Sequence, residues 1–78
     1  MKDWFKNYDG RQIYAMARWH ITGDLRDFGR SKVDASRATY AKHGNRVFEF
    51  KGKKVLKKEP GYLMVADEHM VYTFSIND

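Results

Sequence analysis

A chain of 78 residues with no cysteine and a formal net charge of +5 has room for one small basic domain, residues 1–78, and excludes disulfide staples and thiolate metal sites. No run reaches the roughly 18 apolar residues of a membrane-spanning helix, and the first residues lack the apolar centre of a signal peptide. The expectation is a cytoplasmic protein, in the host cytoplasm if viral, with no membrane partner and a bias towards anything acidic.

Residues 1–8 set Trp4, Phe5 and Tyr8 among charges, as a short helix or a capping arm. Asp9 and Gly10 signal a turn. From Arg11 onward, Ile13, Met16, Ala17 and Ile21 fall at helical spacing, with His20 in the remaining slot and Gly23 as a stop. Alternation of Ile13, Ala15, Ala17, Trp19 and Ile21 also fits a strand. The propensities of Ala15, Met16 and Ala17 favour the helix. Residues 24–30 are bracketed by glycines and read as one helical turn or a packed loop. Ser31 and Asp34 have the spacing of a weak capping box. A second helix is expected after them, carrying Val33, Arg37, Tyr40 and Ala41 on one face and stopping at His43, Gly44 and Asn45.

The remainder reads as sheet. Phe48 and Phe50 share one side of an extended segment, and Gly52 lies in a lysine-rich break before Val55 and Leu56. This predicts a hairpin of residues 47–50 and 54–59 with a basic tip. Pro60-Gly61 marks the next turn, residues 62–66 a third strand and residues 70–76 a fourth. In the last, Met70, Tyr72, Phe74 and Ile76 alternate with Val71, Thr73 and Ser75, the pattern of a sheet with one buried face. The predicted fold is α+β: two N-terminal helices packed on a C-terminal four-stranded antiparallel meander.

Catalytic and metal-binding patterns are missing. His20, His43 and His69 have no metal-ligand spacing, no Gly-x-Ser-x-Gly elbow occurs, and the six glycines form no phosphate-cradling loop. A partly buried His20, a His43 at a helix end and a solvated His69 are the ordinary roles. No catalytic residue, metal or cofactor is therefore assigned, and the expected protein is not an enzyme.

Cations are densest at Arg46, Lys51, Lys53, Lys54, Lys57 and Lys58, with Glu49 the acid among them. Such a strip neutralises phosphates and releases counterions, and Tyr62 and Tyr72 are nearby rings on which unpaired bases stack. Arg26, Arg30, Lys32 and Arg37 form a second basic set, diluted by Asp24, Asp27 and Asp34. The plain alternative is a solvated hairpin whose lysines guard a sheet edge against aggregation. Nucleic acid or a nucleoprotein is the preferred partner. An acidic protein surface comes next, bound as by a compact phage-type inhibitor whose anchors are Trp4, Phe5, Tyr8, Tyr14 and Arg18. Against this, Trp4 and Phe5 are also natural core residues. A homodimer through a sheet edge is a further possibility.

The segment from Asn45 to Lys54, following a helix pair, resembles the opening strand of the ribosome-dependent toxin RNases of the RelE kind. The likeness covers one hairpin. It implies an RNase in which Lys54, Lys57, His69 and Tyr72 take the catalytic roles.

Overall fold

The computed structural model describes residues 2–40 and 46–76. A short helix α1 (Lys2–Lys6) precedes β1 (Gln12–Trp19), β2 (Leu25–Lys32), β3 (Thr39–Tyr40), β4 (Arg46–Val47), β5 (Lys54–Glu59), β6 (Tyr62–Ala66) and β7 (Met70–Ile76). β2, β1, β7, β6 and β5 form one antiparallel five-stranded sheet in that order, and β3 pairs with β4 in a small second ribbon.

This architecture overturns the expected helices on a four-stranded meander. Residues 12–19 are the strand next to the centre of the sheet, paired with β2 on one side and β7 on the other. Helix propensity lost to packing. Ala15 lies opposite Phe74 and Ala17 opposite Tyr72, so the two small residues leave room beside aromatic rings on the same face. A helix would have scattered Ile13, Ala15 and Ala17, all buried here, around its circumference. Residues 24–30 fall almost wholly in β2 rather than in a helical turn. The register steps from Asp27 to Gly29 against Met16 and Ala15, and Gly29 takes a φ of 82°, the conformation that lets a strand absorb an extra residue.

The second expected helix is also replaced. Val33 is buried, and Asp34 then folds a single turn. Its Oδ1 accepts from the backbone N–H of Ser36 at 3.2 Å and from the Ser36 hydroxyl at 2.6 Å. Such local bonds satisfy the backbone without a helix. The predicted stop at residues 43–45 lies outside the described residues. Residues 47–50 do not pair with β5. Val47 pairs with Thr39, and Phe48 donates its N–H to the carbonyl of Ala38 at 2.9 Å. The last three strands of the sheet region stand where the sequence places them.

One face of the large sheet carries the core. Ile13, Ala15, Leu63, Val65 and Phe74 from the sheet pack with Trp4, Phe5, Val33, Ala38 and Phe48. Phe5 is the hub: its ring meets Trp4 at 5.1 Å, Phe74 at 5.2 Å, Phe50 at 5.9 Å and Phe48 at 6.1 Å between centroids. Most of these pairs are edge-to-face, the arrangement favoured by the ring quadrupole. Two polar ties lock α1 and the turn after it onto the β5–β6 hairpin. Trp4 Nε1 donates to the carbonyl of Glu59 at 2.9 Å, and the N–H of Gly61 donates to the Tyr8 hydroxyl at 2.7 Å. Trp4 at 3% and Phe5 at 0% exposure are therefore core, not surface anchors for a partner.

Candidate functional site

The helix, the 34–38 turn and the Phe48–Phe50 segment cover one face of the sheet. The opposite face has no such cover among the described residues. Side chains alternate along each strand, and directly paired residues share a face, so the registers lay this open face out in rows. One row runs Leu25, Arg18, Val71, Ala66, Lys54. The next contains Met16, Thr73, Met64 and Lys57, and a third Arg30, Tyr14, Ser75, Tyr62 and Glu59. Lys32, paired with Gln12, follows beyond the third.

These rows enclose a shallow groove of about 420 Å³ lined by Met16, Arg18, Leu25, Leu56, Tyr62, Met64, Val71, Thr73 and Ser75. Its floor is apolar. Leu25 at 58% and Leu56 at 51% exposure are far more open than a core leucine. Leu56 reaches the groove because the register slips between Val55 and Lys57, which turns two neighbouring side chains towards the same face. Cations frame the floor: Lys54 and Lys57 on β5, Arg30 and Lys32 on β2, and Arg18 at one end. Among the described residues, Arg18, Arg30, Lys32 and Lys54 have no carboxylate within ion-pair distance. Lys57 stands 5.6 Å from the Tyr62 ring centre and 3.6 Å from Glu59 Oε1. That pair is more than half exposed, so it contributes little to stability.

No known family, curated protein or solved structure matches this chain. Its functional reading therefore rests on the geometry.

The cationic strip expected at a hairpin tip is divided. Lys53 is drawn to the core side, its Nζ 3.4 Å from Asp67 Oδ2 and over the rings of Phe48 and Tyr72 at 5.7 and 5.3 Å. Lys58 pairs with the core residue Leu63 and borders the hollow beside Trp4, on the helix-bearing side. Lys51 is exposed in the 51–52 turn and Arg37 in the 34–38 turn. The side chain of Arg46 lies outside the described part. Among the described side chains of the first set, Lys54 and Lys57 reach the open face, joined by Arg30 and Lys32 of the second. Arg18, expected as a protein anchor, belongs with them. Tyr8 is half-buried and bonded to Gly61, whereas Tyr14 lies on the open face. Met16, Met64, Leu25 and Leu56 were not among the expected site residues. The strand reading of residues 13–21 carried the signal for Met16.

The residues of the RNase resemblance are not brought together. Lys54 and Lys57 are on the open face, while Tyr72 is on the core face with its hydroxyl donating to Asp67 Oδ2 at 3.3 Å. The helix pair on which the likeness rested is absent among the described residues. No group of acids and histidines that could hold a metal occurs among them, and no helix is long and apolar enough to cross a membrane.

Asp67 holds the β6–β7 turn beneath Lys53. Its Oδ1 accepts from the N–H groups of His69 and Met70, both at 2.9 Å, and its carbonyl accepts from His20 Nε2 at 3.2 Å. Burial raises the acid's pKa, but the two N–H donors and Lys53 outweigh it, and the net value is below the ordinary one. The folded state thus favours the ionised form. The resulting stability is fully present above the unfolded pKa of about 3.9 and is lost as pH falls through the lower folded value. Urea midpoints measured down the acid limb should drop less steeply in Asp67→Asn than in the parent. Parallel curves would show that this carboxylate does not set the acid limit.

Proposed function

We propose that this protein is a non-enzymatic nucleic-acid-binding domain and that the open sheet face is its contact surface. The observation that carries the reading is an apolar floor framed by Arg18, Arg30, Lys32 and Lys54, which meet no carboxylate among the described residues. A self-contained surface pairs its charges or scatters them, and monomeric proteins rarely leave a broad apolar patch uncovered. Here both features coincide. Phosphates supply the anions that Arg18, Arg30, Lys32 and Lys54 lack, and neutralising them releases counterions to solvent. The partner is a naked nucleic acid or one presented by a nucleoprotein.

Titration of a labelled oligonucleotide across salt tests this. The logarithm of the affinity should fall linearly with the logarithm of salt, by about 0.7 for each phosphate neutralised on a single strand. A flat line would remove phosphate contacts from the account.

A second reading, a protein-binding inhibitor, draws on the β1–β2 hairpin. Ile21 is 95% and Trp19 38% exposed there, an apolar tip of the kind that anchors an interface. It requires one stoichiometric protein partner to survive nuclease treatment and to be lost from Ile21→Asp.

A further inference from the structure

Resting on that reading, we infer that the open face takes the unstacked bases of a single strand and discriminates against duplex. The argument is one of width and chemistry. The major groove of a duplex is about 12 Å wide and admits one helix or a two-stranded ribbon. A five-stranded sheet spans roughly 19 Å between its outer strands at the usual spacing of about 4.8 Å. It cannot enter the groove, and α1, with five residues, has Trp4 and Phe5 in the core. Laid flat against a duplex, the face would press Met16, Met64 and Leu56 onto charged phosphates. That contact would strip water from the phosphates without a compensating bond, and the apolar side chains would find no base to cover, because a duplex hides its bases in the stack.

A single strand fits both parts of the surface. Its phosphates run along the cationic margins while its bases turn onto the floor. Tyr62 is the stacking ring. Lys57 now lies over it, in an exposed pair with Glu59. An arriving base takes the place of the ammonium on the ring, and the ammonium exchanges Glu59 for the adjacent phosphate. Met16 and Met64 are unbranched and polarizable, so they adapt to any base. Recognition is accordingly tolerant of sequence.

The test uses the intact chain at one salt concentration and four probes of equal length: oligothymidylate, oligouridylate, an abasic deoxyribose strand and a hairpin duplex. Single strands should bind at least about tenfold more tightly than duplex or abasic strand, because only they offer an unstacked base to the ring. The thymidylate and uridylate arms tell DNA from RNA. Tyr62→Ala should lose about tenfold on oligothymidylate and almost nothing on the abasic strand. Leu56→Ser, a neutral change at a half-exposed position, should show the same selective loss. Equal binding of all four probes would overturn the base-accepting groove yet leave phosphate binding intact. Failure to bind any probe would overturn both.

Discussion

Phe5→Ala should bring this protein close to unfolding. The ring is fully buried and touches Trp4, Phe48, Phe50 and Phe74, so its removal takes contacts from both sides of the core at once. Truncating a buried phenylalanine costs about 3–5 kcal/mol. A chain of 78 residues has a total stability of about 4–12 kcal/mol at the usual 0.05–0.15 per residue. The melting temperature should drop by more than about 12 °C, since each kcal/mol shifts a domain of this size by roughly 4–8 °C. Ile21→Ser, at a position 95% exposed, should leave stability within about 0.5 kcal/mol. Circular dichroism melts of the two variants check this. Similar losses would mean that the aromatic cluster does not hold helix and sheet together.

The second large effect is on binding. Arg18→Glu with Arg30→Glu should weaken oligonucleotide affinity by about tenfold for each charge-assisted contact removed. The salt slope should become shallower by about 0.7 per lost phosphate contact. Arg37→Glu with Lys58→Glu is the matched control, because it makes the same change in net charge away from the open face. Its effect should be limited to weaker long-range attraction, which salt screens over about 10 Å at 0.1 M. Fluorescence anisotropy against the same strand, with circular dichroism to confirm folding, separates the pairs. Equal losses in both would assign binding to net charge alone and dismiss the open face as the interface.

The two halves of the chain differ in how plainly their sequence spells out their structure. The C-terminal half announces itself locally. Pro60-Gly61 and the Asp67-Glu68-His69 turn separate short segments, and residues 70–76 alternate without ambiguity. The N-terminal half does not. Residues 13–21 satisfy a helical and a strand period together, and Ala15, Met16 and Ala17 tilt a local reading towards helix. The decision was made by Phe74 and Tyr72 on β7, more than fifty positions away, which need small residues beside them. Residues 47–50 misled in another manner. Phe48 and Phe50 do turn to a common side, but they pack on Phe5 and on each other, their rings 5.3 Å apart, without joining the large sheet.

The candidate site was legible only in its ingredients. Cationic side chains, tyrosines and an excess of positive charge were visible; which of them share a surface was not. Chain proximity grouped Lys53, Lys54, Lys57 and Lys58, yet the sheet sends Lys54 and Lys57 one way, Lys58 the other, and ties Lys53 to Asp67. Pairing of β1 with its two neighbours, and of β7 with β6, instead joins Arg18 and Arg30 to Tyr62 and Met64 across four strands. Composition alone determined that the protein is small, basic, free of cysteine and rich in rings for a core, because these are sums over residues. Which face is filled and which is left open was decided by the tertiary structure, because strand register is set by partners distant in the chain and a shift of one residue moves every side chain to the other side.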